Sequence, residues 1–397
     1  MEEELRQLDA GEVRRLDGGV EFAAALADLY RANLHLRTAG RVLVRLGSFH
    51  AEEFWELEKR AAKLEWERYL APGQPVDVRA TCHKSRLYHS DGVAERVALA
   101  IGQRLGQPAV QHAPSEDEQA GEIQLVNVRL DHDECTISLD SSGELLHRRG
   151  YRLQTAKAPL RENLAAGLLM ASGWAAAVRR PAGADPVPLL DPFCGSGTIA
   201  IEAALLALNL PPGRGRRFAF MNWPGFQAAE WQAVARAATP ALPATPVLIM
   251  GSDRDEGAIE AARANARRAG VAEHVTLQCR PFSAIEPPNL SGWVVTNPPY
   301  GLRLGPSERE PARGRPERSP LRRLYSALGE VLRERCPAWQ VAMLTADPEL
   351  AWATGLGFDP ARAVHTLNGG LRVTLWRGRT PPLSPPPAVG RAQGAGR

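Results

Sequence analysis

At 397 residues with a net charge of +3, the chain is long enough for two or three domains, and its charge is too small to announce a nucleic-acid partner by itself. Hydrophobic residues at 44% and charged residues at 23% are the proportions of an ordinary globular protein; no apolar run approaches a membrane span, and the acidic start Met1-Glu2-Glu3-Glu4 lacks a signal-peptide core. Five widely spaced cysteines (Cys82, Cys135, Cys194, Cys279, Cys336) with no Cys-x-x-Cys pair indicate neither a disulfide frame nor a zinc site, so a cytoplasmic chain without metal is expected.

From Leu5 to about Gly40 the pattern mixes short helices with one strand signal, Val20-Glu21-Phe22, followed by a helical run from Ala23 to Leu36. Arg41–Leu46 predicts a strand, and Ala51–Leu70 an amphipathic helix with Phe54, Leu57, Ala61 and Leu64 on one face; Phe54, Trp55, Trp66 and Tyr69 are expected in the core. Val76–Ala80 predicts a strand and Asp91–Leu105 a helix capped by Asp91. After a polar connection, Pro108–Ala120, the clean alternation of Ile123–Leu130 pairs with Glu134–Leu139 through the turn Asp131-His132-Asp133. His132, Asp133 and Cys135 resemble metal ligands, but without a second cluster they read as a hairpin tip. Lys84, Arg86, Arg149 and Arg152 lie in basic, hydroxyl- or aromatic-bearing stretches that suit an RNA backbone as well as a solvated loop.

A linker with Pro159 at a helix start leads into Ala165–Ala177 and then an α/β pattern. The run Pro186–Leu190 predicts a buried strand and Ile199–Leu208 a buried helix, with Asp191-Pro192-Phe193-Cys194-Gly195-Ser196-Gly197-Thr198 between them. Backbone N–H groups of such a glycine turn face a ligand. An acid at its start repels phosphate, and no Lys-Ser or Lys-Thr follows; a cationic, hydroxyl-bearing ligand such as S-adenosylmethionine (SAM) suits it. Pro246–Met250 predicts the next strand, ending at Asp253, placed to bond a ribose, with Asp255 as a helix cap before Gly257–Ala269. Val275–Cys279 is a third strand, followed by Phe282, and Trp293–Thr296 a fourth. The fourth ends in Asn297-Pro298-Pro299-Tyr300-Gly301, where two prolines force the chain out of the sheet and hold Asn297 and Tyr300 at a strand's carboxyl end. Arg303–Arg323 carries seven arginines against three glutamates. Gln340–Leu344 and Leu371–Trp376 complete the strands, and the Pro/Gly/Ala-rich tail from Thr380 has no periodicity.

A nucleobase amine is a poor nucleophile because its lone pair is delocalised into the ring. Two acceptors aimed at its hydrogens bias the nitrogen toward a tetrahedral form. The Asn297 side-chain carbonyl and the Pro298 backbone carbonyl can supply them, with Tyr300 stacking on a base flipped out of its helix. Cys194 lies in the proposed SAM loop and reads as packing rather than as a nucleophile.

Together these residues resemble the THUMP-containing class I RNA methyltransferases that make N2-methylguanosine. The likeness rests on Asp191–Thr198, Gly251-Ser252-Asp253, Asn297–Gly301, and Arg217-Phe218-Ala219-Phe220-Met221-Asn222-Trp223. In the N-terminal half it rests on Leu29–Leu34, Arg37-Thr38-Ala39 and Arg148–Arg152. The pattern is most similar to the N-terminal half of the bacterial 23S rRNA guanine-N2 enzymes, with the tRNA guanine-N2 enzymes as the near alternative. The resemblance implies an α/β chain: a Rossmann-like class I methyltransferase domain (149–380) preceded by an α+β ferredoxin-like part (1–40) and a THUMP RNA-binding domain (41–148), with a disordered tail (381–397). It implies catalysis at Asn297, Pro298 and Tyr300, and SAM held by Asp191, Pro192, Phe193, Cys194, Gly195, Gly197, Thr198, Asp253, Phe282 and Asn297. Structured RNA (23S rRNA or tRNA) would be bound by Tyr300, Arg303, Lys84, Arg86, Arg149 and Arg152. The resemblance carries three departures: the family usually begins about a strand earlier than Met1, Arg280-Pro281-Phe282-Ser283 stands where the family has an acid near the third strand, and, with no second methyltransferase pattern read in these 397 residues, a single modification is expected. Two other readings compete, a DNA adenine-N6 or protein glutamine methyltransferase and a non-catalytic RNA-binding assembly factor; the intact Asp191, Asp253 and Asn297 argue against the latter.

Overall fold

The structure, a computed structural model, describes residues 1–109, 123–153, 160–179, 187–238, 247–288, 291–300 and 318–382. Most of the connection Pro108–Ala120, Pro159, Pro246, Arg303 with the greater part of its arginine-rich segment, and the tail from 383 lie outside the described residues. The chain divides into two compact units: Met1–Arg152 with Leu208–Leu242, and Leu153–Ala207 with Pro243–Arg397. No described helix is long and apolar enough to cross a membrane.

The first unit opens with a helix, Glu2–Gln7, and an antiparallel hairpin of β1 (Val13–Leu16) and β2 (Gly19–Phe22). The helix Leu26–His35 follows, slightly shorter than the pattern predicts. A four-stranded sheet is built from β3 (Leu43–His50), β4 (Val76–His83), β5 (Gln124–Asp131) and β6 (Glu134–Asp140) in the order β3-β6-β5-β4. Only β4 and β5 pair in parallel, which requires the crossover helix Ser90–Leu105. That helix begins at Ser90 with His89 at the cap position, so Asp91 lies inside its first turn and is not the cap that the sequence suggests. The β5–β6 turn consists of His132 (φ 53°) and Asp133 (φ 63°), the left-handed pair that two-residue hairpins demand.

The predicted helix Ala51–Leu70 is interrupted: Phe54–Ala61 is α-helical, and a single 3-10 turn, Trp66–Arg68, follows. Trp66 is fully buried, whereas Trp55, expected in the core, is 63% exposed beneath the Lys59 ammonium. Between helix and sheet, the side chain of Asn33 donates to Ser141 Oγ (2.9 Å) and accepts from Ser142 Oγ (2.8 Å). Next to them Asp140 is ion-paired with Arg41, yet burial lifts its carboxyl to about 6.

The stretch Arg217–Trp223 belongs to this first unit although the sequence reading places it inside the methyltransferase domain. Phe218, Phe220 and Trp223 are buried in its core, and Trp223 Nε1 donates to Gln124 Oε1 at 2.7 Å. The Phe220 ring lies 4.6 Å from Tyr30, 5.2 Å from Phe218 and 5.5 Å from Trp231. Truncating it opens a cavity that these rigid rings cannot fill. Phe220→Ala is expected to cost about 3–5 kcal/mol, read as a lowered denaturation midpoint; an unchanged midpoint contradicts the packing.

The second unit is a seven-stranded sheet. Its strands are β7 (Leu189–Asp191), β8 (Ile249–Asp253), β9 (Thr276–Cys279), β10 (Trp293–Thr296), β11 (Gln340–Thr345), β12 (Val364–Asn368) and β13 (Leu371–Arg379), in the order β12-β13-β11-β10-β7-β8-β9. The five from β11 to β9 run parallel, and β13 is antiparallel to both neighbours. The chain leaves β7 toward β8 on one side and returns to β10 on the other, so the strand order reverses at β7, the Rossmann-like switch point where α/β sheets bind ligands. The strand β12, which the sequence reading misses, pairs with β13 through Gly369 and Gly370, both at positive φ. Likewise the predicted helix Ala165–Ala177 is two: Glu162–Ala171 stops at Gly173 (φ 87°), and Trp174–Ala177 restarts beyond it.

Candidate active site

The carboxyl ends of β7, β8 and β10 bring together the three segments that the sequence singles out. β7 is buried along its whole length and delivers Asp191, itself 1% exposed. The chain then turns through Pro192–Gly197 into the helix Thr198–Ala207, all but the last of whose residues are buried. Cys194 N donates to Ser252 O at 3.0 Å, tying the turn to β8. The Cys194 thiol is buried and its pKa lifted well above 9, chiefly by desolvation, which suits packing and not nucleophilic chemistry.

Both glycines of the turn have positive φ, Gly195 at 50° and Gly197 at 85°. Space above Gly195 is open: among the described residues other than its chain neighbours, no atom lies within 4 Å of where a Cβ would sit. Gly197 is different: a Cβ would sit 3.0 Å from the Ala262 Cβ on the helix Glu256–Arg268. The same helix holds the turn through Asn265, whose Nδ2 donates to Ser196 O at 3.1 Å. Gly197→Ala therefore meets both a disfavoured backbone and a close contact, and is expected to cost about 1–3 kcal/mol and to weaken ligand binding at the turn. Calorimetric titration beside a denaturation curve checks both; wild-type values in the two would contradict the constraint.

Asp253, the last residue of β8, uses its two carboxylate oxygens separately. Oδ2 accepts from Gly195 N at 3.0 Å and Oδ1 from Asp255 N at 3.1 Å. Asp255 caps its helix through Ala258 N at 3.2 Å, as the sequence suggests. Each Asp253 oxygen keeps a second lone pair for a hydroxyl donor. Phe193 and Phe282 stack at 5.3 Å between ring centres, so two of the predicted cofactor residues meet. Arg280, the first residue of the Arg280–Ser283 segment that follows β9, pairs with Glu286 at 3.0 Å.

Asp191 Oδ1 accepts from Phe193 N (3.2 Å) and from the Thr296 hydroxyl (2.7 Å). Burial raises its carboxyl to about 7, opposed by those two bonds and reinforced by the charge of Asp253. Thr296 ends β10, and Asn297 follows it. Asn297 is half-buried with its side-chain oxygen buried and lacking any hydrogen-bond partner among the described residues; Ser252 Oγ is buried and unpaired in the same sense. Pro298 is buried, and Tyr300 is half-buried with its hydroxyl 3.1 Å from Asn368 Nδ2 at the end of β12. Sequence reasoning misses Asn368 and Thr296. Asn368 lies 68 residues from its partner, and Thr296 resembles any β-branched strand residue.

The predicted RNA contacts lie in the first unit, apart from Tyr300 and from Arg303, which is outside the described residues. Lys84 and Arg86 are exposed beside the β5–β6 turn; Arg86 pairs with Glu52, and its backbone N–H donates to Asp133 Oδ1 at 2.6 Å. Arg152 is half-buried. Arg149 departs from the expectation: it is 8% exposed, and its guanidinium donates to the backbone carbonyls of Leu146 and Arg37, which is a structural role. At the hairpin tip, Asp131 converges with His83 and His132, a grouping with metal-ligand chemistry. Both imidazole Nδ1 atoms lie 2.9 Å from Asp131 Oδ1, and Arg129 is 3.1 Å from Oδ2; the bonds from His83 and then His132 hold this carboxyl down to about 2. Three donors thus already occupy the carboxylate.

Residues 149–376 match the RMKL-like methyltransferase domain, residues 1–43 the RlmL ferredoxin-like domain and residues 51–140 the THUMP domain. The ribosomal RNA large subunit methyltransferase K/L of Syntrophotalea carbinolica is 38% identical over 382 residues, covering 94% of this chain and 51% of that protein. The chain thus spans about half the length of the K/L relatives it matches. A putative RNA methyltransferase of Synechocystis sp. is 34% identical, covering 94% of this chain and 91% of that protein. The crystal structure of SMU.472, a putative methyltransferase complexed with SAH, superposes with a TM-score of 0.79 at 28% identity, covering 96% of this chain and 95% of the other. With the glycine turn, the acid that ends β8 and the Asn-Pro-Pro-Tyr segment all at one switch point, the chain belongs to the RMKL-like methyltransferase family, with a THUMP domain and an RlmL-type ferredoxin-like domain in its first unit.

Proposed function

We propose that the chain is a SAM-dependent RNA methyltransferase that forms N2-methylguanosine, with 23S rRNA as its substrate. The observation that carries this reading is the buried, unpartnered Asn297 side-chain oxygen at the end of β10, held beside two prolines. A buried acceptor without a donor costs free energy, and an amine N–H placed there relieves it.

The residues present fit SAM. The open space above Gly195, the free lone pairs of Asp253, the unpaired Ser252 Oγ and the stacked Phe193–Phe282 pair are the donors, acceptors and apolar face that a charged nucleoside needs. When bound, SAM supplies an electrophilic methyl group. Asp191, Pro192, Phe193, Cys194, Gly195, Gly197 and Thr198 form the turn that receives it, and Asp253 binds its ribose hydroxyls. Asn297 Oδ1 and the Pro298 carbonyl accept the two hydrogens of the guanine amine and direct its lone pair outward. Tyr300 stacks on the base, its hydroxyl anchored by Asn368. No strong general base is required, because the amine proton becomes acidic once the fourth bond to nitrogen forms. Orientation and fixed dipoles carry the rate. RNA capture falls to the first unit, through Lys84, Arg86 and Arg152, with Arg303 on the other side of the Asn-Pro-Pro-Tyr turn in sequence. The domain boundaries proposed from sequence, 1–40, 41–148 and 149–380, go with this division of labour, and a cytoplasmic location goes with such a substrate.

The test is methyl transfer from labelled SAM to undermethylated 23S rRNA and to tRNA, followed by nucleoside analysis. N2-methylguanosine in the rRNA alone supports the reading. The same nucleoside in tRNA alone moves the substrate while keeping the mechanism, and SAM binding without transfer to either RNA overturns it in favour of a DNA, protein or assembly role.

A further inference from the structure

Backbone pairing between β7 and β10 covers Leu189 with Trp293 and Leu190 with Val294, and goes no further. The two strands part there, as strands must at a switch point that opens into a crevice. Beyond the last backbone pair, the Thr296 hydroxyl donates to Asp191 Oδ1 across the gap at 2.7 Å. Thr296 is fully buried and Asp191 is 1% exposed, so water does not compete for this bond. Each residue is the last of its strand: Asp191 leads into the glycine turn, and Thr296 is peptide-bonded to Asn297.

From this placement we propose that the Thr296–Asp191 hydrogen bond is a strap that fixes Asn297 relative to the glycine turn, making Thr296 a positioning residue for the methyl transfer assigned above. The idea rests on that assignment. Thr296 never meets substrate; its side chain sets where the next residue's carbonyl points. A displacement of about 1 Å at a reacting centre costs on the order of 10²-fold in rate, and Asn297 Oδ1 accepts no hydrogen bond among the described residues that would hold it. Asp191 accepts a second bond from Phe193 N, so the strap also joins Asn297 to the residue that stacks on Phe282. The charged and titratable groups facing Asp191 are Asp253 at the end of β8 and the Cys194 thiol in the turn.

Thr296→Val removes the hydroxyl at nearly constant volume, and Thr296→Ser restores it. The Asn297 side-chain amide signals of nitrogen-15-labelled protein, assigned by their loss in Asn297→Ala, report its position without turnover. In Thr296→Val they are expected to shift and broaden, and in Thr296→Ser to return. Single-turnover transfer at saturating SAM is expected to fall about 10- to 100-fold in the Val variant, with SAM affinity changed by less than about threefold, and to recover with Ser. If Thr296→Val does not fold, Asp191→Leu removes the acceptor from the other side while burying no charge, and the same signals are read. Unmoved Asn297 signals with wild-type single-turnover rates overturn the strap while the function stands. Shifted signals in a protein whose wild type transfers methyl to neither RNA leave the strap standing and overturn the function.

Discussion

Asn297→Ala is expected to lower methyl transfer by about 10²–10³-fold while SAM binding stays within about threefold of wild type. The asymmetry follows from what the side chain does. Its oxygen is buried and unpaired, so it contributes to the state in which an amine hydrogen points at it and to little else. The Ala variant loses an acceptor for the reacting nitrogen, whereas the glycine turn, Asp253 and the Phe193–Phe282 pair remain. Equal loss of binding and of transfer would make Asn297 a ligand-holding residue. Unchanged transfer would remove the amine-orienting mechanism altogether.

Asp191→Asn should stabilise the ligand-free protein, and by more as the pH rises. Burial lifts the Asp191 carboxyl from 3.8 to about 7, with Asp253 adding to the rise and the bonds from Thr296 and Phe193 opposing it. Between those two values the unfolded chain has already released the proton that the folded chain still holds. Folding stability therefore falls as pH rises through that window and levels off above pH 7. The whole penalty is roughly 4 kcal/mol. A neutral amide at this position carries no such penalty, and its carbonyl still accepts from Thr296. Denaturant midpoints of the two proteins, measured from pH 4 to 8 without ligand, should separate progressively. Parallel curves would mean that Asp191 ionises as freely as in the unfolded chain.

The parts of this molecule that could be read in advance are those whose meaning is local. Asp191–Thr198 and Asn297–Tyr300 announce themselves because an acid, glycines and paired prolines at strand ends have few structural uses. The strand Trp293–Thr296 is found with the bounds that the sequence suggests. What could not be read depends on partners far along the chain. Arg149 looks like an RNA contact until its guanidinium is seen on the carbonyl of Arg37, 112 positions earlier. The helix predicted over Ala51–Leu70 breaks because Trp66 turns inward, its Nε1 donating to Ala61 O at 2.8 Å, a geometry that periodicity does not encode. Trp55 stays exposed because Phe54 and Leu57 take the inner face. Asn368 and Thr296 are hidden for the same reason: their significance lies in a single long-range bond each.

The placement of Leu208–Leu242 in the first unit has a consequence for how such a protein can be cut, shuffled or inherited. A fragment ending near Arg152 would carry the four-stranded sheet and the N-terminal hairpin, yet lack Phe218, Phe220 and Trp223 from the middle of their core. Gln124 would lose the indole donor whose bond it accepts, and the Tyr30 hydroxyl would lose the backbone N–H of Gln227. The stretch of gene that encodes the first unit is therefore not continuous. Recombination that transfers the front of the gene alone delivers a unit missing part of its interior.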